Sequence, residues 1–168
     1  MLKKFRKSRK GFTMVELMVV IVIMAVLGLA IMPSLMGSSD KAKYSRAWND
    51  LNAIANAFVG YYGKEGTFPK ITVGPLSGAF GTSGTPKDTF QSFLNTPLAN
   101  LKDPWNQEYQ VASGWVETTG KGWIIVYVNE ATGGGDADFG GSAKVTGKVK
   151  KDPYQNNVPM AKLVINVM

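Results

Sequence analysis

The stretch Gly11-Phe12-Thr13-Met14-Val15-Glu16-Leu17 opens an apolar run that continues to Met36. Glu16 carries the only charged side chain in residues 12–36. A carboxylate in a segment otherwise suited to lipid costs free energy, so its presence there indicates a function. The spacing between Gly11 and Glu16 decides how the chain is interpreted.

The apolar run is long enough to cross a membrane. As a helix, its 25 residues extend about 37 Å, against a hydrocarbon core of about 30 Å. The positive-inside bias places the N-terminus in the cytoplasm and the rest of the chain outside. Six basic residues and no acidic one precede the run: Lys3, Lys4, Arg6, Lys7, Arg9 and Lys10.

Composition excludes several function classes. Of the 19 basic side chains, six lie in residues 1–11, and the remaining 13 are balanced by 12 acidic ones. The net charge of +7 therefore gives little reason to expect a nucleic-acid partner for the folded part. The chain has neither cysteine nor histidine, the commonest sources of a thiol nucleophile, a general base or a transition-metal ligand. We predict that it is not an enzyme.

A conventional secretory signal is the simplest alternative for this N-terminus, since Gly28-Leu29-Ala30 offers small residues for a signal peptidase. The apolar run continues past Ala30, however, and Glu16 sits near its start. Both features disfavour that alternative.

A basic leader ending in Gly11, followed by Phe-Thr-Met-Val-Glu-Leu and a long apolar run, resembles the type IV prepilins. The resemblance implies that a prepilin peptidase removes residues 1–11 by cutting between Gly11 and Phe12, and that Phe12 is then N-methylated. Glu16 becomes the fifth residue and Pro33 the twenty-second, where pilins commonly have proline. It also implies an α+β pilin fold, in which a long helix packs on an antiparallel sheet.

The physics of the helix start supports an assembly role for Glu16. The new amine of Phe12 would lie at the positive end of the helix dipole. A carboxylate from the same or a neighbouring subunit would neutralise it in a medium of low dielectric constant. We favour the contact between subunits; pairing of Glu16 with its own terminus is the alternative.

The long helix is predicted in two parts. Residues 12–37 form a hydrophobic membrane or filament-core segment that Gly28, Pro33 and Gly37 interrupt. We expect a kink at Pro33, and the resemblance implies unwinding of residues 28–37 in a filament. Residues 38–63 form an amphipathic helix that ends near residues 60–63. Its predicted buried stripe comprises Ala47, Trp48, Leu51, Ile54, Ala55, Phe58, Val59 and Tyr62.

The soluble head is predicted to span residues 38–168, with a connecting loop over 64–104 and a sheet over 105–168. Within the loop, residues 70–104 are expected to form a flexible surface with one short helix. An antiparallel sheet of about four strands with one solvent-exposed face is expected to pack on the helix. Residues 122–129, apolar on both faces, form its central strand. The other candidate strands are Glu108–Val116, Ala143–Lys151 and the alternating residues Leu163, Ile165 and Val167.

The strand over residues 143–151 exposes lysines, which could form a DNA-binding face. Edge strands commonly carry lysines to prevent edge-to-edge pairing, and no aromatic residue is interleaved to stack on bases. Nucleic acid is therefore an unlikely partner. The lysines concerned are Lys144, Lys148 and Lys150.

Two segments resemble the type II secretion pseudopilins. Asp103-Pro104-Trp105-Asn106-Gln107-Glu108-Tyr109 is similar to their Asp-Pro-Trp…Tyr segment. Gly134-Gly135-Asp136-Ala137-Asp138-Phe139-Gly140 resembles a loop that helps to bind calcium there, which makes Asp136 and Asp138 candidate ligands. Two carboxylates are too few for a tight site. The chain also lacks a Gly-Asn-Pro before Tyr109 and continues about 28 residues past Gly140.

The leading prediction is a major type IV pilin, a structural subunit without an enzymatic cofactor. Its precursor would lie in the inner membrane and its mature form in an extracellular helical filament of identical subunits. The partners implied are a prepilin peptidase and an inner-membrane assembly platform with a cytoplasmic ATPase. One alternative is a type II secretion pseudopilin in a short periplasmic filament, and another is a minor pilin that binds DNA or a surface ligand.

Overall fold

A computed structural model describes residues 11–80, 85–116 and 121–165. The chain divides into two compact units, residues 1–40 and 41–168. Helix α1, Met14–Glu65, begins in the first unit and ends in the second. The predicted leader lies outside the described residues except for Gly11.

Helix α1 extends to Glu65, beyond the predicted end at residues 60–63. Gly60 and Gly63 remain helical. The helix stops at Gly66, which adopts φ +72° while its N–H donates to the carbonyl of Tyr62 at 2.8 Å. A left-handed residue directly after the last turn is a common helix C-terminus, and glycine adopts it without a Cβ penalty.

The buried stripe of α1 follows the spacing of an ideal helix. It comprises Ala47, Leu51, Ile54, Ala57, Phe58 and Tyr61. The prediction was wrong at Val59, which is 56% exposed, and it missed Ala57 and Tyr61. Residues 47, 51, 54, 58 and 61 advance by alternating steps of four and three, so Val59 falls beside this stripe.

The main sheet has four antiparallel strands, β1 (Gly74–Pro75), β2 (Gln110–Val116), β3 (Lys121–Tyr127) and β8 (Ala161–Ile165). They lie side by side in the order β1-β2-β3-β8. An α+β fold with an antiparallel sheet is thereby confirmed. Its membership differs from the prediction, because the two-residue β1 belongs to it and the lysine strand does not.

The lysine strand lies in a separate two-stranded sheet. It is β5 (Lys144–Val149), paired with β4 (Gly135–Asp138), and a second small pair joins β6 (Lys151–Asp152) to β7 (Val158–Pro159). Ala137, Val145 and Val149 pack with Ile125 and Tyr127 of β3. The prediction of one solvent-exposed sheet face was therefore wrong, since β4 and β5 cover the face opposite the helix.

The connection over residues 64–104 contributes to the core. It contains α2 (Thr85–Gln91) and a 3-10 turn (Leu98–Asn100). The ring of Phe90 lies 4.4 Å from that of Phe58 and 4.7 Å from that of Phe80 between centroids. The prediction of a flexible surface was wrong for residues 76–80, where Leu76, Ala79 and Phe80 are buried.

Candidate functional site

The predicted cleavage site lies in exposed, non-helical chain. Gly11 and Phe12 precede α1, and Phe12 is 83% exposed. A Cβ added to Gly11 would meet no atom within 4 Å. A peptidase therefore has access to exposed, non-helical backbone at this bond, although cleavage and methylation themselves stay predictions.

Thr13 and Glu16 form a reciprocal cap at the start of α1. The Glu16 Oε2 accepts hydrogen bonds from the Thr13 N–H and Oγ1, both at 2.9 Å, and the Glu16 N–H donates to Thr13 Oγ1 at 3.2 Å. This arrangement is a capping box, which satisfies backbone donors that a helix start leaves unpaired. It gives Glu16 a polar partner within its own chain.

The described part of α1 from Met14 to Met32 exposes apolar side chains on every side. Side chains from Met14 to Met32 of α1 are exposed, including Val15, Leu17 and Ile21. Within the described residues, α1 is the one helix long and apolar enough to cross a membrane. A helix that is apolar all round requires lipid or other protein around it, so membrane anchoring of a precursor follows from this unit.

Gly28, Pro33 and Gly37 all lie within the helical backbone of α1. A Cβ added to Gly28 or Gly37 would meet no atom within 4 Å. The kink at Pro33 stays a prediction, and so does the unwinding of residues 28–37, which concerns the assembled filament.

The Asp-Pro-Trp segment forms a tight turn in front of β2. Asp103 is buried, and its Oδ1 accepts hydrogen bonds from the N–H groups of Trp105 at 2.9 Å and Gln107 at 2.8 Å. Asn106 adopts φ 65° at the tip of this turn. The pKa of Asp103 lies above its ordinary value because burial raises it more than the two backbone hydrogen bonds lower it.

Trp105 connects this turn to two other elements. Its ring packs edge-on against Tyr44 of α1 at 4.8 Å between centroids, and the Lys150 ammonium lies 4.6 Å from the ring centre. Lys150 also donates to both carboxylate oxygens of Glu130 at 3.0 Å. The segment that resembles pseudopilins therefore holds the helix and the lysine-rich region together.

The two candidate calcium ligands project from the same exposed face of β4. Asp136 Oδ1 accepts a hydrogen bond from the Gly147 N–H at 2.7 Å, and Asp138 Oδ1 accepts one from the Gly140 N–H at 2.8 Å. The Lys144 Nζ lies 3.4 Å from Asp138 Oδ2. The Gly140 hydrogen bond and then Lys144 lower the pKa of Asp138.

The predicted lysine face is not one continuous basic surface. Lys144 and Lys150 are paired with Asp138 and Glu130, and the Lys150 side chain is only 15% exposed. Lys148 is exposed on β5. This arrangement offers no row of unpaired cations that could follow a phosphate backbone.

Two families of known proteins match this chain. A model of the prokaryotic N-terminal methylation motif matches residues 6–32, and the model of type II secretion system protein G matches residues 34–141. The chain belongs to the type II secretion system protein G family. No solved structure matches it significantly.

Curated members of this family are similar along most of the chain. Type II secretion system core protein G of Vibrio cholerae serotype O1 is 33% identical over 145 residues, which is 83% of this chain and 94% of that protein. The Klebsiella michiganensis protein of the same name is 33% identical over 109 residues, 64% of this chain and 76% of that protein. The Escherichia coli K12 protein of the same name is 32% identical over 113 residues, which is 61% of this chain and 70% of that protein.

The leading prediction of a type IV pilus subunit was therefore wrong. The relatives are named for type II secretion, which favours the pseudopilin alternative. The Asp103-Pro104-Trp105 segment was the correct signal, and the long C-terminal part was misleading because it lies beyond the family's matched region, which ends at residue 141. Membership in the wider pilin-like family is confirmed.

Sequence reasoning missed the contacts between distant residues. It proposed no partner for Glu130, which binds Lys150, or for Asp50, which accepts a hydrogen bond from Tyr109 at 2.8 Å. The Thr13-Met14-Val15-Glu16 spacing could have predicted the capping box, since Ser or Thr followed three residues later by Glu is its signature.

Proposed function

We propose that this chain is a structural subunit of the type II secretion pseudopilus. A prepilin peptidase would cut after Gly11 and methylate Phe12, and the mature subunit would then leave the membrane to join a short periplasmic filament. Family membership supports this choice of filament. The inner-membrane platform and its cytoplasmic ATPase would be its assembly partners.

The observation that carries the proposal is the exposed apolar surface of α1 from Met14 to Met32, which contains one carboxylate. Lipid can cover the apolar side chains of the first unit before assembly, and identical helices can cover them afterwards. Glu16 is different, because a carboxylate at membrane depth costs free energy. The Phe12 amine of another subunit would relieve that cost.

The capping box with Thr13 supplies the hydrogen-bond partners of Glu16 within a single chain. In the single chain its Oε2 accepts two hydrogen bonds from Thr13. We infer that Glu16 exchanges this neutral partner for a cationic one when subunits join. An ion pair in a medium of low dielectric constant is stronger than a hydrogen bond to a neutral hydroxyl, so the exchange favours the filament.

Replacing Glu16 tests the proposal. In bacteria that lack their own protein G, Glu16→Leu and Glu16→Gln should leave the subunit cleaved and membrane-inserted while abolishing cross-links between subunits and reducing secretion at least about tenfold. Glu65→Gln, at the other end of α1, is the matched control and should behave like wild type. Normal secretion and normal cross-linking by Glu16→Leu would contradict the proposal.

A further inference from the structure

Three carboxylates between residues 130 and 138 all bind to the segment that follows them. Both carboxylate oxygens of Glu130 accept hydrogen bonds from the Lys150 ammonium group, and Asp138 forms an ion pair with Lys144. Asp136 accepts a hydrogen bond from the Gly147 N–H. The acidic loop and the basic strand β5 with Lys150 thus form one network inside the second unit.

This donor set does not fit a calcium ion. Calcium takes about six to eight oxygen ligands, usually including several carboxylates. Within residues 11–80, 85–116 and 121–165 there is no group of three or more Asp, Glu, His or Cys side chains that could hold a metal ion. Residues 130–151 also contain four lysines against three carboxylates, so the region lacks the excess negative charge that would attract a divalent cation.

We propose that Lys144 and Lys150 take the place of a bound cation, so that the loop over residues 130–138 is folded without calcium. Their ammonium groups neutralise carboxylates that a metal would otherwise bring together. The proposal concerns the stability of the second unit and is independent of the filament to which the subunit belongs.

The surroundings of Lys150 make it the principal residue of the pair. Its side chain is 15% exposed and that of Glu130 is 32% exposed, so solvent screens this ion pair only partly. The ring of Trp105 lies against the ammonium, an arrangement that attracts cations. Lys144 and Asp138 are about half exposed and contribute less.

Backbone packing fixes the loop against β5 without a metal. A Cβ added to Gly134 would come within 2.9 Å of the Gly147 carbonyl oxygen, so the two backbones are in direct contact there. The Glu130 N–H also donates to the Lys148 carbonyl at 2.8 Å, and the Lys150 N–H donates to the Val128 carbonyl at 2.9 Å. These contacts place Glu130 and Lys150 opposite one another.

The first experiment measures the response of the full mature chain to calcium. Thermal unfolding in detergent micelles is compared in excess EGTA and in millimolar CaCl2. We expect the two melting temperatures to agree within about 1 °C, whereas a site filled at about 100 times its Kd would raise Tm by roughly 5–10 °C. A rise of that size in the wild-type chain would overturn the proposal.

The second experiment removes one ammonium group at a time. Lys150→Met should lower Tm by roughly 4–8 °C in EGTA because it leaves Glu130 half-buried and unpaired. Lys148→Met, on the same stretch but exposed, is the matched control and should change Tm by about 1 °C or less. Lys150→Arg should retain the wild-type Tm, since it keeps the charge.

Equal melting temperatures for Lys150→Met and Lys148→Met would overturn the role of Lys150. Failure of Lys150→Met to fold, while Lys150→Arg folds and shows no calcium response, would support it. Loss of folding by both Lys150 variants would contradict it, because shape and not charge would then be the requirement.

Discussion

Tyr109 is fully buried, and its hydroxyl donates a hydrogen bond to the Asp50 carboxylate of α1 at 2.8 Å. Burial, followed by this hydrogen bond, raises the pKa of Tyr109 far above its ordinary value. The unfolded chain releases the phenolic proton near pH 10, while the folded chain retains it. The stabilising contribution of the neutral phenol is therefore complete below pH 10 and is lost progressively at higher pH.

Tyr109→Phe should change both the free energy of unfolding at neutral pH and its dependence on pH. At neutral pH it should cost about 1–3 kcal/mol because Asp50 loses its buried donor. Between pH 9 and 11.5, the free energy of unfolding should fall less steeply than in wild type, by up to about 1.4 kcal/mol per pH unit. Denaturant unfolding at several pH values measures this, with the more exposed Tyr154→Phe as control; an unchanged slope in Tyr109→Phe would contradict the argument.

Single residues could be predicted where their meaning lies in local spacing. Gly11, Phe12 and Glu16 stand within six residues of one another, so the sequence predicts their relationship without knowledge of the fold. The partners of Tyr109 and Lys150 are 59 and 20 residues away. Such contacts depend on how elements pack, and no local pattern encodes them.

At the level of elements, the C-terminus of α1 offers a paired test of backbone conformation. Gly63 is helical with free space around it, whereas Gly66 has φ +72° directly after the helix. Gly63→Ala should stabilise the second unit by up to about 1 kcal/mol because alanine favours the helix. Gly66→Ala should destabilise it by about 1–2 kcal/mol because a Cβ disfavours left-handed backbone. Denaturant unfolding measures both, and a change of the same sign in the two variants would refute the assignment.

Helices and strands with a strong pattern of apolar residues were predicted from the sequence, and elements without such a pattern were not. Strand β3 is apolar on both faces, and both of its faces are buried. Strand β1 consists of Gly74 and Pro75 alone, two residues that disfavour strands, so only its pairing with β2 reveals it. The exposure of Lys144 and Lys148 on β5 was predicted correctly, but an exposed lysine does not tell which sheet a strand joins.

At the scale of the whole molecule, the C-terminal part is an integral component of the fold. The family match ends at residue 141, yet β8 lies beyond it and pairs with β3 along five residues, from Ala161 to Ile165. Met160, Ala161 and Val164 are buried in the two core clusters. The length of this part was taken as a sign of a different filament, whereas it completes the sheet.

The second unit should fold by itself. Among the described residues, every member of its two buried clusters lies at or after Ala47, so none of these comes from the apolar part of α1. A chain beginning at Lys41 should be monomeric, remain outside the membrane fraction and unfold cooperatively, with a Tm within about 3 °C of the full chain.

Removing residues 161–168 instead should prevent folding, since burial of Val164 alone contributes about 1.5–3 kcal/mol and β3 would lose its pairing partner. Circular dichroism and size-exclusion chromatography of both truncations test this: aggregation of the Lys41 chain, or a folded chain without β8, would contradict the division into two units.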